Sequence, residues 1–229
     1  MQTVAQLLSS RPYPGRGCIG ARTRHGDLTF LYFLTGRSVA SRARQLQVVG
    51  TDIAVANAAG ANLDMLRHYV AGVRRGRWSV IGNGDQVVPI AQALATGESL
   101  PSALGRHTYE PDPPIFTPRM VLAYGGPDES FLGWVGRDSR GAAVRQVQAC
   151  DPAAGEALVM TTYAGTVDEV VTGAEPVSVA VVADTRAQLL REAWNALDPD
   201  LRVAAFAVAP DDPSARPAFI AERSAPLVR

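Results

Sequence analysis

Apolar residues in this chain fall in short bursts separated by Gly, Pro, Asn and Asp, the pattern of strands joined by tight turns. Cys18–Arg24 and Leu28–Leu34 read as two strands, with Arg24-His25-Gly26-Asp27 as the hairpin turn between them. The second, rich in aromatic and branched residues, should be central and buried. Leu46–Val49 and Ile53–Ala56 form the next pair around Gly50-Thr51. Leu66–Val73 and Arg77–Ile81 follow, joined by the basic turn Arg74-Arg75-Gly76. Apolar positions change to helical spacing at Val87, Val88, Ile90, Ala91 and Leu94, which predicts a helix over 85–96 with Asp85 as its N-cap. A second short helix is predicted over Ser102–Arg106, and a single helical turn over Val4–Leu8. Strands are then predicted at Arg119–Tyr124, Ser130–Val135, Ala143–Ala149, Ala157–Tyr163, Glu175–Ala183 and Leu201–Val208, with a helix over Thr185–Leu197. The Ala-Gly-Ala stretch within 58–61 reads as a flexible insertion. Antiparallel hairpins with helices inserted late suit an α+β fold: a four-layer α-β-β-α sandwich with mostly antiparallel sheets. An open β-sandwich is the alternative.

Length and composition narrow the function classes. A chain of 229 residues can form one domain with a substantial core, here taken as 1–229. Formal net charge is zero, giving no reason to expect a nucleic-acid or membrane-surface partner. No apolar run approaches membrane-spanning length and no signal peptide is visible, so a cytoplasmic location is expected. The basic residues other than histidine are all arginine, which excludes a lysine Schiff base and a Walker-type lysine. Cys18 and Cys150 fit no metal spacing and read as reduced, buried thiols. His25, His68 and His107 have no zinc-like arrangement, so neither a metal nor any other cofactor is expected.

Candidate chemistry gathers around a proline-rich stretch, His107 to Arg119, with Pro111, Pro113, Pro114 and Pro118. Each proline fixes its own φ and pushes the preceding residue toward extended backbone, so the segment is a stiff loop carrying Glu110 and delivering Arg119 into an apolar run. A rigid connector is the plainer reading, and Arg119 could simply pair with Asp85. Earlier, Gly36-Arg37-Ser38 with Ser41-Arg42 follows the central strand, where hydroxyls and guanidinium forks could hold a phosphate; a solvated basic loop is the competing reading. Asn83-Gly84-Asp85 opens the main helix, a position suited to an anion or a carbonyl, or to capping alone.

The order of these pieces is distinctive. Tyr13-Pro14-Gly15-Arg16-Gly17 precedes the hairpin, Gly36-Arg37-Ser38 and Ser41-Arg42 follow its second strand, Asn83-Gly84-Asp85-Gln86 opens the helix, and Tyr109-Glu110-Pro111-Asp112 and Thr117-Pro118-Arg119 close the set. Over residues 11–125 this resembles the archaeal-type IMP cyclohydrolase family. The resemblance implies a fold similar to the N-terminal-nucleophile hydrolases without their self-processing nucleophile. It implies ring closure of 5-formamidoimidazole-4-carboxamide ribonucleotide to IMP with loss of water. It also implies a small-molecule nucleotide as partner, and a homo-oligomer is expected. By position, it implies that Arg42, Tyr69 and Glu110 are catalytic. One departure stands out: Val70 follows Tyr69 where the family pattern has asparagine.

Such a reaction needs a fixed formamide rotamer, a donor for the developing oxyanion and a group that accepts the amide proton. Tyr69 or Arg42 could supply the donor and Glu110 the acceptor. Arg16, Arg37 and Ser38 are the choices for the 5′-phosphate, and Asn83, Gly84, Asp85 and Arg119 complete the expected substrate-binding set. Val70 would make the pocket more apolar, which opens two alternatives: a related ring-closing enzyme with another substrate, or a non-catalytic nucleotide-binding homologue. An N-terminal-nucleophile amidase is the weakest reading, because Cys18 would first need cleavage after Gly17.

Overall fold

The central hairpin sets the architecture. A computed structural model describes residues 1–57, 68–172 and 175–221. In it, β1 (Arg16–Arg22) and β2 (Leu28–Thr35) pair antiparallel around the turn expected from Arg24-His25-Gly26-Asp27. All eight residues of β2 are buried, because both its faces are covered. Phe30, Tyr32 and Leu34 point to one side, while Leu31 and Phe33 point to the other, as strand pleating requires.

Two antiparallel sheets grow from this start. The first has the order β11 (Val177–Ala180), β10 (Glu156–Thr161), β1, β2, β12 (Arg202–Val208) and β13 (Ala218–Ala221). The second runs β3 (Arg44–Val49), β4 (Asp52–Asn57), β5 (Tyr69–Arg75), β6 (Trp78–Gly82), β7 (Arg119–Gly126), β8 (Glu129–Arg137) and β9 (Ala143–Ala149). The fold is mixed α/β. An apolar core joins the sheets, with Phe30, Tyr32 and Phe206 of the first meeting Ile81, Met120 and Leu122 of the second. Helices α1 (Val4–Ser9) and α5 (Arg186–Ala196) cover the outer face of the first sheet through Leu7, Leu8, Leu189 and Trp194. Helices α3 (Val87–Ala95) and α4 (Leu100–Gly105) cover that of the second through Ile90, Leu94, Leu100 and Leu104. Helix, sheet, sheet and helix therefore stack in that order, rather than as an uncovered sandwich. Among the described residues no helix is long and apolar enough to cross a membrane.

Several expectations need correction. Among the described residues there are thirteen strands and five helices, one strand and one helix more than the segments predicted from the pattern. The additions are short: α2 (Val39–Arg42) is one turn, and β13 lies at an edge. Glu175–Ala183 shrinks to Val177–Ala180, and Leu66–Val73 begins as a strand at Tyr69. The insertion expected at 58–61 lies outside the described residues. Asp85 is not the cap of α3. Gln86 takes that position without a side-chain cap bond, because the Asp85 carboxylate is engaged by Arg119.

Candidate functional site

Antiparallel pairing brings the start of β1, the end of β2 and the end of β10 to one end of the first sheet. The start of β5, the end of β6 and the start of β7 meet at one end of the second. These ends face each other, and the polar residues of the interior gather there.

Arg16 is the hub. The residue is 6% exposed. Nη2 donates to Glu110 Oε2 at 2.8 Å, and Nη1 donates to the Asn83 carbonyl at 2.7 Å. Its guanidinium carbon lies 6.0 Å from the centre of the Tyr69 ring. Arg16 thus bridges Tyr69 and Glu110, two residues far apart in sequence. Burial pulls the Arg16 pKa down, but Glu110, Tyr69 and Tyr163 outweigh it, and the net direction is up: Arg16 is a permanent cation. For Glu110, only 2% exposed, burial is the strongest influence and raises its carboxyl above the ordinary value, against the opposing pull of Arg16 and Arg119. A carboxyl held this way is suited to taking up and giving back a proton.

Tyr69 meets Tyr32 across the two sheets, with hydroxyl oxygens 2.5 Å apart. The next residue, Val70, points the other way, as alternation along a strand demands, and packs against the cluster beneath α3 and α4. The departure from the family pattern at Val70 therefore does not change the face that Tyr69 presents.

The loop before β7 is tied down by a short polar chain. Thr117 Oγ1 lies 2.6 Å from Asp112 Oδ2 and 2.7 Å from the Tyr163 hydroxyl, and the Thr117 amide donates to Asp112 Oδ1 at 2.7 Å. Thr117 donates its one hydroxyl hydrogen to Asp112, so it accepts from the Tyr163 hydroxyl. The Thr117 carbonyl in turn accepts the Glu110 amide at 2.8 Å. Tyr13 stacks on Tyr163 with centroids 5.4 Å apart. This loop is the stiff element expected from its prolines, and its hydrogen bonds hold Glu110 against Arg16.

Asn83 is fully buried. Its side chain fastens β6 to β7, donating to the Pro118 carbonyl at 2.8 Å and accepting from the Met120 amide at 2.6 Å. Gly84 is hemmed in: a Cβ there would come 2.5 Å from Gln86 Oε1, 2.8 Å from Arg119 Nη1 and 3.3 Å from Glu110 Oε1. Arg119 bonds Asp85, Gln86 Oε1 at 2.9 Å and the Thr108 carbonyl at 2.8 Å. The pairing with Asp85 is the plain alternative read from sequence for this arginine.

The residues of the arginine loop sit differently. Arg42 is exposed at the end of α2, and its guanidinium makes no hydrogen bond or ion pair among the described residues. Arg44, two residues on, turns inward: it is 9% exposed, bonds the Thr35 and Ser41 carbonyls, and lies close enough to act on the Tyr32 hydroxyl. Ser38 is exposed and caps α2 in a reciprocal arrangement with Ser41. Arg37 donates to the Val167 carbonyl at 2.7 Å and lines a cavity of about 460 Å³ with Pro114, Ile115, Phe116 and Arg137. That cavity is not lined by Arg16, Tyr69 or Glu110.

Sequence reasoning overlooked Tyr32, Arg44, Gln86, Thr117 and Tyr163 as site residues. Tyr32 and Tyr163 lie in apolar strand runs, where a tyrosine reads as core. Thr117 had one usable signal, its place between prolines in the loop that carries Glu110. Burial pushes both thiols, Cys18 and Cys150, up to about 12, so neither is a nucleophile near neutral pH. Among the described residues no group of three His, Cys, Asp or Glu could hold a metal ion.

No curated protein matches the chain. A family model described as IMP cyclohydrolase-like protein matches residues 13–214, which takes in every site residue described above. That span is most of the chain and includes every strand but β13, so the chain belongs to the IMP cyclohydrolase-like protein family.

Proposed function

We propose that this protein is a cyclohydrolase that closes 5-formamidoimidazole-4-carboxamide ribonucleotide to IMP with loss of water. The observation that carries the reading is Glu110, buried on the Arg16 guanidinium with the Tyr69 ring against the same cation. Family membership supplies the reaction class. The layered order of helices and sheets is in keeping with kinship to the N-terminal-nucleophile hydrolases.

The chemistry follows from those groups. The carboxamide nitrogen attacks the formyl carbon within one molecule, so the protein's first task is to hold the formamide in the reactive rotamer. Rotation about an amide-type C–N bond faces a barrier of ~18–20 kcal/mol in peptides, so selecting one rotamer matters. As the C–N bond forms, negative charge grows on the former formyl oxygen. The Tyr69 hydroxyl donates to that oxygen, and a single such donor contributes roughly 2.7–4 kcal/mol in other enzymes. Glu110 accepts the proton leaving the amide nitrogen and passes it to the oxyanion, giving a hydroxyl; it then takes the hydrogen of the former formamide nitrogen and delivers it to that hydroxyl, which leaves as water while the C=N bond of the new ring forms. Arg16 steadies the charge on Glu110 throughout. Because its guanidinium is committed to Glu110 and Asn83, the 5′-phosphate falls to Arg37 and Ser38, both at the surface.

Incubating the pure protein with the formamido ribonucleotide and following IMP absorbance tests the proposal. Turnover well above the spontaneous rate is expected; cyclisation no faster than in buffer overturns it.

A further inference from the structure

The hydroxyl of Tyr32 has one hydrogen-bond partner among the described residues, the Tyr69 oxygen at 2.5 Å. Tyr32 is 0% exposed, whereas Tyr69 is 7% exposed. Two phenols in one hydrogen bond share a single proton, so one donates and the other accepts. If Tyr69 donated, the Tyr32 hydrogen would be left in a sealed core with no acceptor, and an unsatisfied buried donor is costly. If Tyr32 donates, its hydrogen is satisfied and only a spare lone pair goes unused. The burial difference therefore fixes the direction of the bond.

We propose that Tyr32 is a positioning residue: its hydroxyl donates to the Tyr69 oxygen, so that the hydrogen of Tyr69 is turned away from the core and presented to the reacting oxygen. The inference rests on the functional reading of Tyr69 given above. Tyr32 is itself held by Phe206, whose ring lies 5.4 Å away, centre to centre, so the donor has little freedom to swing. Burial drives the Tyr32 pKa well above the ordinary phenol range, the nearby phenol of Tyr69 acting in the same direction and Arg16 and Arg44 against it. Tyr32 thus stays protonated and keeps its hydrogen for Tyr69. The charged and titratable groups around Tyr69 are Arg16 from β1 with Glu110 bonded to it, Tyr163 beyond β10, Arg44 near Tyr32, Cys18 on β1, and His68 beside it in the chain.

The test compares Tyr32→Phe, Tyr69→Phe and the double variant. Phenylalanine keeps the ring in the core, so all three should fold. Expected for Tyr32→Phe is a fall in kcat of about tenfold or more with KM nearly unchanged, a share of the ~10²–10³-fold loss typical of deleting a direct donor. In the Tyr69→Phe background the same change should add almost nothing. A merely structural role would multiply the two losses, and that result overturns the proposal. A second readout does not depend on turnover. Ring-carbon-labelled tyrosine NMR should show the Tyr69 resonance of the carbon bearing the hydroxyl, assigned from its absence in Tyr69→Phe, displaced in Tyr32→Phe, because its oxygen loses a donor. An undisplaced resonance refutes the hydroxyl pair itself. An inactive wild type with a displaced resonance overturns the functional reading and leaves the pair standing.

Discussion

Glu110 is subject to two opposing forces. Burial favours the protonated carboxyl, while Arg16, 2.8 Å away, favours the carboxylate; burial is the stronger, so the pKa rises from its ordinary 4.5. Above 4.5 the folded state then holds more protons on this group than the unfolded state does, and the slope of unfolding free energy with pH is negative there. The contribution of Glu110 to stability is full below its unfolded pKa and is lost as pH rises through the folded one. Thermal melts of wild type and Glu110→Gln across this range should show the wild-type advantage shrinking with increasing pH. An advantage that grows would mean that Arg16 prevails over desolvation. The same substitution should cut turnover by ~10²–10⁴-fold, the range for losing a general acid–base group. Val70→Asn should leave kcat within about twofold, since this side chain lies on the helix-facing side of β5. A large change in kcat would show that residue 70 reaches the site after all. At this scale the sequence was informative about kind but not direction. Glu110, Tyr69 and Arg42 were singled out together, yet the turn of α2 sends Arg42 outward and Arg44, two positions on and not singled out, inward.

Among the elements, the loop from Glu110 to Pro118 has the most influence on the site. Its prolines made its stiffness legible. Its placement depends on partners distant in sequence: Tyr163 hydroxyl to Thr117, and Thr117 to Asp112 and to the Glu110 amide. Thr117→Val keeps the side-chain shape but removes the hydroxyl shared by Asp112 and Tyr163, and about 1–3 kcal/mol of stability should be lost because both partners are left short. Turnover should fall with it as Glu110 loosens against Arg16. Chemical denaturation and kinetics on one preparation check both; an unchanged kcat would mean that Glu110 is held by Arg16 alone. The start of α3 carries the complementary lesson. Asp85 has the residue type of a cap, yet a neighbouring guanidinium competes for its carboxylate and takes it.

For the whole molecule, the decisive feature is that the two sheets share a core and present their polar ends to each other. Phe206 lies at the centre of that core, 0% exposed, with ring neighbours Tyr32 at 5.4 Å and Phe219 at 6.3 Å. Phe206→Ala should cost about 3–5 kcal/mol, the range for removing a large buried ring. It should also loosen Tyr32, so that activity falls even in molecules that remain folded. Denaturant titration and turnover measured below the unfolding midpoint check this, and normal kcat in the folded variant would separate the core from the site.

Local pattern alone determined that the chain is strand-rich, that its strands pair as antiparallel hairpins, that helices interrupt late, and that a rigid acidic loop precedes an arginine. Each of these follows from turn residues and from the spacing of apolar side chains within a few positions, so no distant contact is needed to read them. Which arginine faces inward, what Asp85 binds, and that Tyr32 and Tyr69 touch were decided only by tertiary structure. Those facts depend on two sheets closing over one another, and the burial that favours one partner over another does not exist until they do.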